Sequence, residues 1–480
     1  MNSKEKIGNF RWTICALLFF ATAINYMDRQ VLSLTWKDFI APEFNWTNND
    51  YGNITALFSI FYAVSLLVAG RFVDWLDTKR GFLWAIGIWS IGACLHAFCG
   101  IATSGILTGK WFVSFAGAKE SIALVNDGAM IATVSVTLFI FARFILALGE
   151  AGNFPAAIKA TAEYFPKKDR AFSTSIFNAG ATVGALIAPV TIPFIAQAYG
   201  WEMSFIIIGA LGFLWMGFWV FWYRKPEVHP KVSAAELAYI QQDLIHDQQL
   251  VDYVAETTTK VSFLKCLRYN QTWAFAFGKF MTDGVWWFFL FWTPAYLSSV
   301  YQMDSTASAV PLFVLYLITL LSIIGGWLPT YFVDQKGMNP YEGRMRAMLI
   351  FAFFPLLALF AQPLGHVSYW LPVIIIGIAG AAHQAWSANI FTTVGDMFPK
   401  KAIATITGIG GMAGGLGSSF LNKGSGMLFD YSRDTEMSFM GFQGIEAGYF
   451  IIFSICSICY LIGWVVMKSL VPRYKPITDL

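Results

Sequence analysis

Long apolar stretches recur from one end of the chain to the other and predict membrane-spanning helices. Each covers roughly 20 residues, the length that a helix needs to cross about 30 Å of hydrocarbon. Polar and charged residues concentrate in the segments between them. We predict twelve spans, near residues 12–34, 50–71, 82–101, 131–164, 171–198, 203–223, 272–300, 308–333, 346–363, 368–397, 402–429 and 444–468.

The composition supports the same interpretation. Of the 480 residues, 57% are hydrophobic and only 13% are charged, and the mean hydropathy is +0.57. A soluble domain carries about 25% charged residues. We therefore predict an all-α membrane protein that crosses the lipid bilayer many times.

The placement of the basic residues predicts the orientation better than the net charge of +3 does. If both ends of the chain are cytoplasmic, most of the 32 lysines and arginines fall in cytoplasmic segments. The outer segments then hold only Lys37, Lys110, Lys119 and Arg433. Cytoplasmic loops carry an excess of Lys and Arg, so we predict twelve helices with both termini inside.

A repeated motif predicts that the chain is built from two similar halves. Phe165-Pro-Lys-Lys168 recurs as Phe398-Pro-Lys-Lys401, each time after an acidic residue and before a glycine-rich span. Some secondary transporters consist of two such repeats, with the substrate site between them. We predict an N-terminal six-helix half over 1–223 and a C-terminal six-helix half over 271–480.

Two segments lie outside the repeat. The first half has an insert at about 101–130, which we expect to form an outer loop or a short helical hairpin. Residues 224–270 form the longest polar stretch and are predicted to be a cytosolic linker. Within it, Ser233-Ala-Ala-Glu236 is a capping-box pattern that predicts an amphipathic helix as far as Asp247.

Charged residues inside the predicted spans are the candidates for function. Arg143 and Glu150 are seven residues apart, so they lie on one face of a helix. A charge near the bilayer centre costs about 2.5–3.5 kcal/mol on a lenient scale. Asp28 and Arg29 are adjacent and point about 100° apart. Each therefore needs a partner on another helix, and we expect Arg29 to pair with Glu150.

Four short segments lie around these charges: Asn25-Tyr-Met-Asp-Arg29, Glu150-Ala-Gly-Asn-Phe-Pro155, Phe165-Pro-Lys-Lys-Asp-Arg170 and Asn178-Ala-Gly180. Together they resemble the anion:cation symporter branch of the major facilitator superfamily. Within that branch, Trp286-Trp-Phe-Phe-Leu-Phe-Trp292-Thr-Pro294 and His383-Gln-Ala-Trp386-Ser-Ala-Asn389 look like the bacterial hexuronate transporters. The similarity covers nearly the whole chain except the insert and parts of the linker. One departure is Asp77, where the family pattern usually has glycine.

The resemblance implies a secondary active transporter in the cell inner membrane. Its expected activity is proton-coupled uptake of a sugar acid, such as glucuronate or galacturonate, by alternating access. The acids that match Asp28 and Glu150 are the proton-linked ones in related carriers. The arginines that match Arg29 and Arg143 hold the carboxylate or pair with those acids, and Tyr62 lines the pocket.

The chemistry of the residues agrees with these roles. A carboxylate in a cleft of low dielectric needs a fixed cation, and the planar fork of arginine binds both of its oxygens. Arg29 and Arg143 are both candidates for that contact. Burial raises the pKa of a carboxyl group and a nearby arginine lowers it. Our hypothesis is that Glu150 pairs with Arg29 in the empty protein and releases it on protonation.

Neutral polar and aromatic side chains are expected to bind the sugar hydroxyls. The candidates are Tyr62, Asn178, His383, Gln384, Trp386, Ser387 and Asn389. His383 could equally be a hydrogen-bonded contact between helices. Lys279 could form an ion pair with Asp283 or bind the substrate anion. Asp74 and Arg80 are predicted to belong to a cytoplasmic gate.

Several functions remain open alternatives at this stage. A symporter for another organic anion, such as galactonate or glucarate, would use the same arginines. A non-transporting nutrient sensor is a more distant alternative. The sequence contains no recognisable metal-ligand spacing, phosphate-binding loop or nucleophilic triad. We therefore predict no enzymatic activity, no cofactor and no nucleic-acid partner, and we expect a monomer with protons and a sugar acid as its ligands.

Overall fold

The computed structural model describes residues 7–242, 262–478 and 480, and this part of the chain is almost entirely helical. In the first half, α1 continues through a π-helical turn at Trp36–Ile40 into α2. The helices are α1 Phe10–Thr35, α2 Ala41–Phe44, α3 Asn48–Leu76, α4 Thr78–Ala97, α5 Cys99–Thr108, α6 Phe115–Ala123, α7 Gly128–Glu150, α8 Asn153–Tyr164, α9 Lys167–Tyr199 and α10 Trp201–Trp222. The predicted insert therefore forms two short helices, α5 and α6.

The rest of the described chain contains the linker helices and the second half. Short 3-10 turns occur at Pro226–Val228, Leu320–Ile323 and Phe354–Phe360, and a two-stranded antiparallel ribbon joins Ser438–Phe439 to Phe442–Gln443. The helices are α11 Ala234–Ile240, α12 Phe263–Cys266, α13 Asn270–Tyr301, α14 Ala309–Thr319, α15 Ile324–Asp334, α16 Pro340–Phe353, α17 Ala361–Gly365, α18 Trp370–Met397, α19 Lys400–Asp434 and α20 Ile445–Leu470.

Length and composition identify most of the predicted spans. Within the described ranges, nine helical stretches are long and apolar enough to cross a membrane, or ten if α4 and α5, bent by 51°, count as one. Helices α13 and α19 are longer than most spans, with 32 and 35 residues, but are not among them. Both carry interior lysines and are partly polar. The all-helical membrane fold is therefore confirmed, and the count of twelve and the orientation stay predictions.

The repeated Phe-Pro-Lys-Lys segments have the same local structure in both halves. Pro166 and Pro399 both precede a long helix, with φ/ψ angles of −62°/156° and −63°/148°. Proline suits the start of a helix because it has no backbone N–H that would be left unpaired there. It also prevents the helix from extending toward the preceding residues. The two halves meet along α3 with α19, α9 with α14, and α1 with α13.

The linker departs from its predicted capping box. Ser233 accepts a hydrogen bond from the backbone N–H of Glu236 at 3.1 Å, which caps α11 as expected. Glu236 does not return to Ser233; its Oε1 accepts from the backbone N and the Nη1 of Arg11, at 3.0 and 3.1 Å. A buried ion pair therefore ties the linker to α1. Residues 243–261, which include the predicted helix end at Asp247, lie outside the described residues.

Asp77 stands in a backbone conformation that favours glycine. The residue links α3 to α4 with φ +71° and ψ 157°, a region that is almost restricted to glycine. Its carboxylate lies 3.6 Å from Lys225 Nζ, and both side chains are largely exposed. The departure from the family pattern at this position therefore carries a backbone strain of about 1–3 kcal/mol.

Candidate functional site

A buried ion pair between α1 and the end of α7 forms the centre of the first half. Arg29 donates from Nε and Nη2 to Oε2 of Glu150, at 3.0 and 2.7 Å. Both side chains are almost completely buried. The structure thus contains the pairing that the sequence led us to expect. A charge-assisted contact of this kind is strong, and each charge is costly to leave unpaired in the interior.

Close helix packing places Glu150 at this position. Gly149 precedes it in α7, and a Cβ there would lie 2.3 Å from the backbone nitrogen of Trp89 in α4. Only glycine allows the two backbones to approach so closely. The helix then breaks after Glu150, and α8 begins at Asn153. The carboxylate is therefore held at a helix break in the protein interior.

Four aromatic rings surround the guanidinium group of Arg29. Its Cζ lies 4.7 Å from the ring centroid of Tyr62, 5.0 Å from Trp287, 5.1 Å from Tyr26 and 5.9 Å from Phe58. Contacts of this length allow cation–π attraction. Trp287 belongs to α13 of the second half, so the ion pair lies where the two halves meet.

Several buried polar atoms next to this pair lack a hydrogen-bond partner among the described residues. They are both carboxylate oxygens of Asp28, Oε1 of Glu150, Nη1 of Arg143 and the side-chain amide of Asn25. Asp28 interacts electrostatically with Glu150 and Arg143, and Arg143 Cζ lies 5.0 Å from the Phe58 ring centroid. Buried polar groups are normally hydrogen-bonded. These atoms are therefore available to a ligand, a proton or water.

The second half contains its own ion pair. Lys279 Nζ lies 2.7 Å from Oδ2 of Asp283, one turn along α13. Of the two alternatives for Lys279, the structure contains the pairing with Asp283. His383 Nδ1 lies 2.7 Å from the hydroxyl of Tyr460, and its ring stacks on Trp286 at 5.3 Å. His383 is thus a hydrogen-bonded contact between helices, and a role in binding stays a prediction.

The remaining predicted site residues have different environments. Trp386 is fully buried, and its ring packs edge-to-face with Tyr460 at a centroid distance of 5.6 Å. Asn389 donates to the backbone oxygens of Gly325 and Ala385, at 2.9 and 2.8 Å, which gives it a structural role between α18 and α15. Gln384 and Ser387 are half-buried, and Asn178 is exposed.

The two residues predicted to form the gate are less informative. Arg80 is exposed in the first turn of α4. Asp74 lies within α3, but its side chain is not among those that the structure describes. The gate therefore stays a prediction.

Three aromatic residues around Arg29 were not predicted from the sequence as site residues: Tyr26, Phe58 and Trp287. Tyr26 belongs to the same five-residue motif as Arg29, and Phe58 precedes Tyr62 by one helical turn, so both had a local signal. Trp287 belongs to the Trp286–Pro294 segment that carries the hexuronate-transporter resemblance, but nothing in that segment distinguishes it from its aromatic neighbours. Its contact with Arg29 depends on how the two halves pack.

Polar contacts join the halves at one end of the helix bundle. Asp430 of α19 accepts from the backbone N and Nδ2 of Asn48, at 3.0 and 2.9 Å, and from the backbone N of Asn49 at 2.6 Å. These are the first two N–H groups of α3. Thr47 accepts from the third, that of Asp50. Lys423 also donates to Asn49 at 2.5 Å. The start of α3 is thus capped partly by the other half.

A reciprocal contact lies nearby. Asp38 of the first half accepts from the backbone N of Ser305 at 2.6 Å, from the Ser305 hydroxyl, and from Ser298 Oγ at 3.2 Å. Deeper in the bundle, the hydroxyls of Ser59 and Ser418 are 2.9 Å apart across the halves. Together these contacts join the two halves near one end of the bundle.

The fold and site define a class: a helical membrane protein whose interior charges lie between two sets of helices. The chain belongs to the Major Facilitator Superfamily, whose family model matches residues 18–421. Its members are transporters, so the prediction that the chain is not an enzyme is confirmed.

Similar proteins agree with this assignment. The chain is 29% identical over 431 residues to the hexuronate transporter of Escherichia coli, covering 89% of each chain. It is 26% identical to the galacturonate transporter of Dickeya chrysanthemi, covering 70% of this chain and 86% of that one. It is 23% identical to a probable galactarate/D-glucarate transporter of Escherichia coli, covering 96% of each.

A solved structure shows the same fold. A bacterial homologue of the human lysosomal transporter Spinster, in an inward-facing and occupied conformation, superposes with a TM-score of 0.68. The superposition covers 99% of this chain and 100% of that one, at 17% sequence identity. At this identity the likeness bears on the fold alone.

Proposed function

We propose that this protein is a secondary active transporter that takes up a hexuronate, such as galacturonate or glucuronate, together with protons. The observation that carries the proposal is the buried Arg29–Glu150 pair between the halves, with unpartnered atoms of Asp28 and Arg143 beside it. Membership in a transporter superfamily and similarity to hexuronate and galacturonate transporters support the choice of substrate.

Arg29 and Glu150 provide a way to couple the substrate to protons. Both N–H contacts of Arg29 go to one oxygen of Glu150, and this pairing is the arrangement we propose for the protein before substrate binds. A proton added to Glu150 removes its charge and weakens that contact, leaving the buried guanidinium without an anionic partner. The substrate carboxylate then replaces Glu150 on Arg29. Protonation thus precedes tight binding, because an unpaired buried charge is costly.

Asp28 and Arg143 complete the binding region. Arg143 supplies a second cation, beside Phe58. Asp28 supplies a second acid, close enough to Arg143 for the two charges to interact. Tyr62 and Trp287 flank Arg29 and form an aromatic wall against the sugar ring. Asn178, His383, Gln384, Trp386, Ser387 and Asn389 remain the proposed contacts to the hydroxyl groups.

The proposed transport cycle alternates access between the two sides of the inner membrane. We count α13 and α19 as spans with the ten apolar ones, which gives twelve helices and places both termini in the cytoplasm, as the basic residues favour. The contacts of Asp430 and Asp38 then lie at the outer end. Their presence fits a conformation closed to the outside, and they must break for substrate to enter.

Uptake of labelled galacturonate by proteoliposomes tests the proposal. We expect the wild type to accumulate galacturonate when the inside is alkaline, and only to equilibrate it without a pH difference. Equal uptake with and without the pH difference contradicts proton coupling. The absence of galacturonate transport, with uptake of galactarate, supports the second candidate, a galactarate/D-glucarate transporter, to which the chain is similar over 96% of its length.

A further inference from the structure

The environment of the Lys279–Asp283 pair favours a functional role over a contribution to the stability of the fold. The side chains are 5% and 15% exposed, and both stand on α13, one turn apart. Replacing a buried ion pair by well-packed apolar residues is often neutral or stabilising. Charged residues within the membrane are costly and generally serve function.

The carboxylate of Asp283 packs closely against α19. A Cβ added to Gly414 of α19 would lie 2.2 Å from Oδ2 of Asp283. The glycine therefore allows the carboxylate to sit against the helix backbone. Lys279 Nζ lies 4.2 Å from the ring centroid of Phe391, so its ammonium group is held between an acid and an aromatic face.

The groups that face this pair come from three other helices. Tyr460 of α20 and Tyr26 of α1 interact electrostatically with Asp283, and His383 of α18 interacts with Lys279. Among the described residues, Lys279 is the ion-pair partner of Asp283. Asp283 is therefore the acid that neutralises the charge of Lys279.

The second pair is connected to the first. The ring centroid of Tyr26 lies 5.1 Å from Arg29 Cζ, and Tyr26 lies within electrostatic range of Glu150 and Asp283 as well. Two consecutive residues of α13 also lie beside these groups: Trp287 packs against Arg29, and Trp286 stacks on His383, which lies within electrostatic range of Lys279. The two ion pairs thus border one region between the halves, with a cation from each half.

We propose that Lys279–Asp283 is a second exchangeable ion pair. It recognises the end of the sugar acid that lies farthest from the carboxylate bound to Arg29. Asp283 neutralises Lys279 while the site is empty, and a proton on Asp283 frees the ammonium group. Lys279 then binds a second carboxylate, so six-carbon dicarboxylates such as galactarate are substrates too. This inference rests on the proposed function of the Arg29–Glu150 site.

The test compares two probes that differ in one carboxylate. Counterflow of labelled galacturonate is measured in proteoliposomes with equal pH on both sides, against unlabelled galacturonate or galactarate. The readout is the ratio of the two inhibition constants, in the wild type, Asp283→Asn and the double variant Lys279→Gln/Asp283→Asn. The ratio does not depend on the amount of folded protein. The double variant keeps a neutral hydrogen-bonding pair and serves as the matched control.

We expect Asp283→Asn to shift the ratio toward galactarate by about tenfold or more, because Lys279 is then permanently unpaired. The double variant should lose this preference. In the wild type, the ratio should move toward galactarate as the pH falls, and in Asp283→Asn it should not change. Equal ratios in all three proteins overturn the inference and leave the pair a structural contact. Absence of wild-type counterflow with either probe overturns the proposed function and the inference together.

Discussion

Removing the carboxylate of Asp430 should open the outer end of the transporter. Asp430 accepts three hydrogen bonds from Asn48 and Asn49, and its contact with Arg433 at 3.2 Å stays within the second half. The three bonds to α3 cross between the halves, so Asp430→Ala weakens the closed outer end and leaves the open one almost unaffected. The variant therefore shifts an equilibrium between conformations more than it changes the stability of either half.

The size of the shift follows from helix capping. Water replaces the lost partners once the end opens, so the loss of a cap, about 0.5–2 kcal/mol, is the appropriate scale. A negative charge near a helix N-terminus adds about 0.3–1 kcal/mol. The closed state thus loses about 1–3 kcal/mol, which changes the ratio of closed to open molecules by roughly 5- to 150-fold.

Labelling of a buried cysteine measures this shift. Ser418 is fully buried and contacts Ser59 across the halves. In a chain without its six native cysteines, Ser418→Cys is reacted with a membrane-impermeant maleimide from outside. We expect Asp430→Ala to raise the labelling rate at least fivefold. Asp434→Ala is the matched control, because Asp434 is exposed and pairs with Arg433 of its own half. Equal rates in the two variants would refute this account of the outer end.

Three further predictions follow from the geometry. Arg29→Lys should raise the apparent KM for galacturonate counterflow at least tenfold, since one amine cannot replace the two-pronged contact of Nε and Nη2; an unchanged KM assigns the carboxylate to Arg143. Gly149→Ala should abolish transport, because a Cβ 2.3 Å from the Trp89 backbone displaces Glu150; normal uptake contradicts this. Asp77→Gly should remove about 1–3 kcal/mol of backbone strain and raise the midpoint of heat-induced aggregation in detergent, whereas Asp77→Ala should not; equal midpoints refute the strain.

The Arg29–Glu150 pair could be predicted from the sequence because the buried charges of the first half have few possible partners. Asp28 and Arg29 point in different directions on one helix, and Glu150 is an acid at a suitable depth on another. The aromatic box around Arg29 could not be predicted in the same way. It needs Trp287 from α13, and its position depends on the packing of two halves that are far apart in sequence.

Local patterns failed where a tertiary contact was stronger. Ser233 caps α11 as the motif predicts, but Glu236 binds Arg11, whose backbone N–H and guanidinium group both donate to Oε1 of Glu236. Lys279 and Asp283 were correctly placed one turn apart, and the sequence could not decide between pairing and substrate contact. The contacts of Asp430 and Asp38 between the halves left no signal in the sequence, since a single acid near a helix end has many possible partners.

The most direct test of the central claim is proton movement driven by substrate. Proteoliposomes that contain a pH-sensitive dye receive galacturonate on the outside, with no initial pH difference. We expect acidification of the interior by the wild type and by Glu446→Gln, whose carboxylate contacts Gln362 and His366 at the start of α20. We expect no acidification by Glu150→Gln, although that variant still exchanges galacturonate. Acidification by Glu150→Gln at the wild-type rate would contradict coupling through the Arg29–Glu150 pair.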